Sequence, residues 1–337
     1  MINIISYFTR TYFLCVLICI MTVIKNYLSL IKFSHTIFAL PFALIGFFIP
    51  ASSLYFFYFE NVEPSPVHME TADPGAIVFG SEAPLTFSEL MLRLALVLLC
   101  MIFARSAAMA FNRYLDWKWD ALNPRTAIRE IPKGIITPKN ALMFTIVNCL
   151  LFIAATFFIN TICFYLSPVA LAVVLGYSYT KRFTPFCHLI LGLGLSLAPI
   201  GAYLAVTGVF HLLPVLFSLA VLFWVSGFDI IYALQDVEFD QSQQLYSIPA
   251  WLGKEKALRF SEVLHLLSAG SVVAAGKYAH SGPLFWFGVL VFIGCLVYQH
   301  AIVKPDDLRR VNIAFMTTNG IASVVFALFV ITDLFIS

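Results

Sequence analysis

Residues 89–120 read ELMLRLALVLLCMIFARSAAMAFNRYLDWKWD. The first part, 89–111, is almost entirely apolar and long enough for the ~20 residues a helix needs to cross a bilayer. Its end turns polar at once. Asn112, Asp116 and Asp120 recur at i, i+4 and i+8, which on a helix puts them on one face with neighbours about 5–6 Å apart. Arg105, seven residues before Asn112, falls on the same face inside the apolar run. An apolar span that closes on an aligned acidic face sets the reading: an all-α integral membrane protein with its chemistry at helix ends.

The whole chain agrees. Of 337 residues, 61% are apolar and 11% charged, where a soluble domain carries about 25% charged residues. Mean hydropathy is +0.92. These values exclude a soluble globular enzyme and a disordered chain. The net charge of +2 lacks the concentrated basic character of a nucleic-acid binder, so no nucleic-acid partner is expected. The 7 cysteines include no C-x-x-C pair and lie mostly in apolar stretches, which argues against a disulfide framework or a structural zinc site.

Nine segments read as spans: 33–59, 89–111, 140–160, 162–180, 187–207, 212–234, 258–277, 283–303 and 312–335. All the Lys and Arg except Arg10, Arg93, Arg105 and Lys277 fall near residues 25–32, 113–139, 181–182, 254–259 and 304–310. The loop 60–88 carries Glu60, Glu63, Glu70, Asp73 and Glu82 and no Lys or Arg. Alternate loops are therefore basic, which places the amino terminus and the motif-bearing helix ends on the cytoplasmic side of the cell (inner) membrane. Loop 60–88 reads as an irregular external connection. Residues 1–24 read as an amino-terminal extension of open status: an interfacial helix, a signal-like core without a cleavage site, or an over-long start ahead of Met21. The domain itself is taken as 25–337.

A second acidic stretch ends the sixth span: Asp229, Tyr232, Asp236 and Asp240 at i, i+3, i+7 and i+11, one face of a continuous helix. Glu238 points elsewhere. Two acidic faces on two helices at the same side would repel strongly without cations. Divalent metal is the simplest relief. Carboxylates without His or Cys suit Mg²⁺, which binds through one or two carboxylates plus substrate phosphates. A diphosphate ligand bridging the two helices follows. Basic residues stand close in sequence: Tyr177 and Lys181 at i, i+4, then Arg182, and Arg125, Arg129 and Lys133 in the loop after the first cluster. They suit phosphate oxygens; taken singly, each is also what positive-inside bias alone would place there. Arg105 likewise reads either as a snorkelling arginine or as a site residue. Hydrolase triads, P-loops and dinucleotide glycine motifs are absent.

This pattern resembles the UbiA superfamily of intramembrane aromatic prenyltransferases over nearly the whole chain after residue 25. The resemblance rests on Asn112-x-x-x-Asp116-x-x-x-Asp120, Asp236-x-x-x-Asp240 and Tyr177-x-x-x-Lys181, in order and at the right helix ends. It is similar to the 4-hydroxybenzoate polyprenyltransferase branch, including its menaquinone-pathway relatives, in Lys32–Pro41, Asn123-Pro-Arg-Thr, Tyr232-Ala-Leu-Gln-Asp236, Ser34-His35-Thr36 and Ser247-Ile248-Pro249. The acidic 60–88 loop and the amino-terminal extension depart from the family pattern without touching the motifs.

The resemblance implies a nine-helix bundle and a prenyltransferase of respiratory quinone (ubiquinone or menaquinone) biosynthesis. Its donor would be a polyprenyl diphosphate, and its acceptor 4-hydroxybenzoate or a dihydroxynaphthoate. Asp116, Asp120, Asp236, Asp240 and Asn112 would hold Mg²⁺ on the diphosphate, with Lys181 and Arg125 or Arg129 adding positive charge and Tyr177 beside them. Arg105, His35, Asp229 and Tyr232 are candidates for the aromatic acid; His35 reads equally as an interfacial helix-end residue. Membrane lipid is the remaining partner, since tail and product are apolar. Two rivals stay open at this point: a multi-span transporter, and a prenyltransferase with another acceptor.

Overall fold

The computed structural model describes residues 21–32, 37–59 (backbone only for 54–59) and 85–336. Residues 1–20, His35 and the loop up to residue 84 lie outside the described residues, so the readings placed on them are not addressed by the fold. Among the described residues there is no strand, only one isolated bridge between Lys304 and Asp307.

After a helical segment at 21–30 come α1 (Leu40–Phe59), α2 (Phe87–Leu122), α3 (Pro138–Phe157), α4 (Thr161–Thr180), α5 (Cys187–Thr207) and α6 (Leu212–Ala233). Two short helices follow, α7 (Val237–Ser242) and α8 (Ile248–Leu252). The long α9 (Lys254–Tyr278), α10 (Pro283–Ile302) and α11 (Asn319–Ile336) complete the chain. Eight helical stretches among the described residues are long and apolar enough to cross a membrane. The first expected span appears as α1, whose described apolar stretch, Leu40–Ser53, is shorter than that length.

Local chemistry sets the helix ends. At the start of α2, Thr86 and Glu89 form a reciprocal cap: the Glu89 carboxylate accepts the Thr86 N–H at 2.8 Å and the Thr86 hydroxyl accepts the Glu89 N–H. Pro138 and Pro283 open α3 and α10, where the missing N–H costs nothing. Gly208, at φ 68°, ends α5 in the left-handed region that glycine adopts without a Cβ clash.

The bundle closes by near backbone contact at small residues. A Cβ on Gly46 of α1 would lie 2.0 Å from the Pro199 carbonyl oxygen of α5, and one on Gly192 of α5 would lie 2.4 Å from the Leu222 carbonyl of α6. Trp224, Phe42, Phe217, Phe292 and Phe326 fill the central core, all of them buried. Outward faces carry large apolar side chains such as Leu150, Phe157, Leu266, Leu290 and Leu328, the surface a lipid solvent accepts. Arg93 is an exception inside α2: its Nη1 donates to the Ala205 carbonyl at 2.8 Å, satisfying the charge within protein.

Two features differ from the sequence reading. The acidic end of the sixth span is not one continuous helix. α6 tightens into a 3₁₀ turn at Leu234–Asp236 before α7 begins, so Asp229 and Asp240 belong to different helical segments. α11 is preceded by a π-helical turn, Ile313–Thr318, which nothing in the residue pattern announced.

Candidate active site

The end of α2 presents Asn112, Asp116 and Asp120 on one face, as their spacing requires. The following loop brings back Asn123, Arg125 and Arg129. The end of α4 contributes Tyr177, with Lys181 at its carboxyl cap. α6 supplies Asp229 and Tyr232, the 3₁₀ turn Asp236, and α7 Asp240. All of them line a single cavity of about 300 Å³. The two acidic motifs, 116 residues apart between Asp120 and Asp236, thus share one space. Arg105 lines it too, with its Nη2 donating to the Lys32 carbonyl at 3.3 Å.

Ion pairs organise the polar end. Arg125 holds Asp236 at two points, Nε to Oδ1 at 3.0 Å and Nη2 to Oδ2, and Asn123 donates to the same Oδ1 at 3.2 Å. The Asn123 side chain in turn accepts the Arg125 backbone N–H at 2.9 Å, a turn that aims the arginine. Arg129 Nη1 donates to Asp120 Oδ1 at 2.5 Å. Asp116 Oδ1 accepts from Arg182 at 3.1 Å, while its Oδ2 lies 3.9 Å from Lys181 Nζ and accepts from Asn112 at 3.3 Å. Asp240 accepts from the Ser247 hydroxyl at 3.0 Å. Burial pulls the Lys181 ammonium down, but Asp116 and Asp240 outweigh it, and its pKa ends above the ordinary lysine value. Arg125 is likewise raised, burial being outweighed by Asp236 and Tyr232.

The charge relief expected from metal is therefore supplied here by Arg125, Arg129, Lys181 and Arg182. Among the described residues no group of three or more His, Cys, Asp or Glu is close enough to hold a metal by itself. The donor set nonetheless fits Mg²⁺, which takes few protein oxygens and completes its shell with water and phosphate. Asp120 Oδ2 is buried and accepts no hydrogen bond, with the buried Arg113 Nη1 4.0 Å away as an ion-pair partner.

Tyr232 is tied to the basic network. Its hydroxyl accepts from Arg125 Nη1 at 2.9 Å, its ring lies 5.2 Å from the guanidinium, and Phe315 packs against it at 4.2 Å. Glu238 is exposed and 3.6 Å from Lys254, as the sequence suggested. Away from the charges the wall turns apolar with Leu191, Leu195, Val225, Phe228 and Phe38.

Sequence reasoning missed His188. It opens α5, lines the cavity, and its Nδ1 lies 2.7 Å from Asp229 Oδ2. A lone histidine at the head of an apolar span was the available signal, but its partner is 41 residues away. The packing of Arg182 on the Trp119 ring, at 4.8 Å, was equally invisible.

Fold and cavity together define a class: helical-bundle membrane proteins with an acid- and arginine-lined cavity at the helix ends. The sequence profile of the UbiA prenyltransferase family matches residues 75–321, and the chain belongs to that family. It is a prenyltransferase. It is 29% identical over 242 residues to the 4-hydroxybenzoate octaprenyltransferase of Nitrosomonas europaea, covering 72% of this chain and 82% of that protein. To the protein of the same name from Aeromonas salmonicida it is 29% identical over 222 residues, covering 66% and 76%.

Among solved structures, the apo UbiA homologue from Aeropyrum pernix K1 superposes with a TM-score of 0.67 at 26% identity, covering 88% of this chain and 95% of that one. The Archaeoglobus fulgidus UbiA homologue bound to DMAPP and Mg²⁺ shares the fold, with a TM-score of 0.62 at 19% identity, covering 93% and 100%. The transporter reading falls with these findings.

Proposed function

We propose that this chain transfers a polyprenyl group from a polyprenyl diphosphate to a ring carbon of a hydroxylated aromatic acid, 4-hydroxybenzoate or a dihydroxynaphthoate, with Mg²⁺, in respiratory quinone biosynthesis. The observation that carries the reading is the cavity's polarity: two carboxylate pairs with Arg113, Arg125, Arg129 and Lys181 at one end, an aliphatic and aromatic wall at the other. A diphosphate matches the first and a polyprenyl tail the second. The names of the Nitrosomonas and Aeromonas relatives support the acceptor class, and the DMAPP and Mg²⁺ of the Archaeoglobus homologue support the donor and the metal. The domain is taken as 25–337, in the cell membrane with the cavity on the cytoplasmic side, on the strength of the loop charges.

Asp116, Asp120, Asp236 and Asp240 would hold Mg²⁺ with Asn112. When bound, the metal neutralises charge on the diphosphate as it leaves. Arg125, Arg129, Lys181 and Arg182 would shift from carboxylates to phosphate oxygens, keeping the leaving-group charge in a prearranged cationic site. Arg105 is suited to the acceptor carboxylate, since its fork donates in a plane and its Nε is buried without a partner. Tyr177, half-buried in the cavity wall, would help keep water from the allylic cation.

The test uses membranes containing the chain, Mg²⁺ and a long polyprenyl diphosphate, given 4-hydroxybenzoate or 1,4-dihydroxynaphthoate separately, with lipid product read by mass. Prenylated acid that disappears with EDTA and in Asp116→Ala is the expected result, and the acid that works names the quinone. Diphosphate release without prenylation of either acid would move the proposal to another acceptor class.

A further inference from the structure

His188 and Asp229 stand where the cavity changes character. Along α5, His188 precedes Leu191 and Leu195 by one and two turns; along α6, Asp229 follows Val225 by one turn, and Asp236 comes after it in the 3₁₀ turn. The pair therefore marks the seam between the ion-paired end and the apolar wall. A donor with its diphosphate among the acids and its tail on the apolar wall has its first carbon at this seam. The acceptor carbon that attacks it, and the phenol oxygen next to that carbon, must be there as well.

The pair's chemistry is fixed by its hydrogen bond. An ionised carboxylate only accepts, so in the uncharged form of His188 the N–H sits on Nδ1, facing Asp229, and Nε2 keeps its lone pair. His188 is 4% exposed, and its Nε2 is buried with no hydrogen-bond partner. A buried acceptor of this kind in a cavity wall is complete only when a ligand brings the donor. A phenol hydroxyl is such a donor.

We infer that His188, oriented by Asp229, is the general base that ionises the acceptor phenol, an inference that rests on the aromatic-acid reading above. Nε2 takes the phenolic proton, and Asp229 balances the imidazolium. The ring carbon beside the oxygen gives an electron pair to the allylic carbon. The allylic C–O bond breaks, and its electrons leave on the diphosphate. The alkylated dienone loses its ring proton, the oxygen regains one, and one net proton departs with the diphosphate. An ionised phenol is a far stronger carbon nucleophile than a neutral one, so the base acts on the bond-forming step. General-base assistance is worth roughly 10²–10⁴-fold.

The experiment uses the full chain in detergent or membranes with Mg²⁺, polyprenyl diphosphate and the working acid, comparing wild type with His188→Gln and Asp229→Asn. The second variant keeps the shape of Asp229 but lets the amide donate to Nδ1, which places the histidine proton on Nε2. Donor binding is measured beside turnover and certifies folding. The expected result is a kcat loss of ~10²-fold or more in both variants, with donor affinity unchanged and most of the loss recovered with a ring-fluorinated acceptor already ionised at the assay pH. Wild-type kcat in either variant, or an equal loss with the ionised acceptor, overturns the inference. A wild type that prenylates no aromatic acid instead removes the reading on which it rests.

Discussion

Arg125 grips Asp236 with both arms of its guanidinium, although the two are 111 residues apart in sequence. This contact joins the loop after α2 to the 3₁₀ turn after α6 and makes the two acidic motifs one site. Under the proposed function, the same arginine would be shared with phosphate oxygens in the ligand-bound state.

Exchange of Arg125 tests that sharing. A hydrogen bond to a charged group contributes about 1.5–3 kcal/mol, so Arg125→Ala should raise the donor KM by roughly ten- to a hundredfold. Arg125→Lys keeps the charge but loses the planar fork, and should fall between. The acceptor KM should hardly move. Steady-state kinetics with each substrate varied checks this, and an unchanged donor KM in both variants would remove Arg125 from diphosphate handling.

Asp116 faces Lys181, Arg182 and Asn112 at once. Asp116→Asn keeps the side-chain shape and removes the charge. If the carboxylate holds metal on the diphosphate, kcat should fall on the order of 10²–10³-fold, the usual cost of losing one electrostatic element at a developing charge. EDTA should abolish wild-type turnover, and added Mg²⁺ should restore it. Turnover that persists in EDTA-treated, metal-free enzyme would mean that the four basic residues alone carry the leaving group.

The residue pattern held much of this. Apolar runs located the helices, and i, i+4 spacing put Asn112, Asp116 and Asp120 on a common face. Those signals are local, set by helix pitch and bilayer thickness. What stayed hidden depends on helices meeting. The Arg129–Asp120 pair is short-range and close to legible, but Arg125–Asp236, Arg182–Asp116 and His188–Asp229 join separate elements. Charge balance alone also did not reveal that Arg125, Arg129, Lys181 and Arg182 reach these carboxylates, because sequence spacing does not say which cation lies beside a carboxylate. The 3₁₀ turn at Leu234–Asp236 escaped because its residues still fit an α-helical count.

Close helix contact should make Gly46 intolerant. Its missing Cβ leaves room for the Pro199 carbonyl, which is backbone and has no rotamer by which to withdraw. Gly46→Ala therefore has to push α1 from α5, at about 1–3 kcal/mol of overpacking strain. Gly201→Ala, where nothing lies within 4 Å of the added carbon, serves as the control. Thermal unfolding in detergent should show a lowered midpoint for the first and little change for the second. Equal midpoints would show that α1 and α5 do not meet at this distance.

Asn319 ties the core to the site. Its Oδ1 accepts from Trp224 Nε1 at 2.9 Å and from Gln299 Nε2 at 2.7 Å, and its Nδ2 donates to the carbonyls of Ala314 and Phe315 in the π-helical turn. Asn319→Leu should leave two buried donors without an acceptor, at about 1–3 kcal/mol each. It should also loosen the turn that sets Phe315 against Tyr232, and so weaken the Arg125 contact on the Tyr232 hydroxyl. A lowered unfolding midpoint together with a raised donor KM is the expected pair of readings. Trp224→Phe removes one of the stranded donors. In the Asn319→Leu background it should therefore cost less than it does alone, a coupling that a double-mutant cycle measures directly. Additive losses would mean that the indole and the amide act independently, and the path from the core knot to Tyr232 would have to be abandoned.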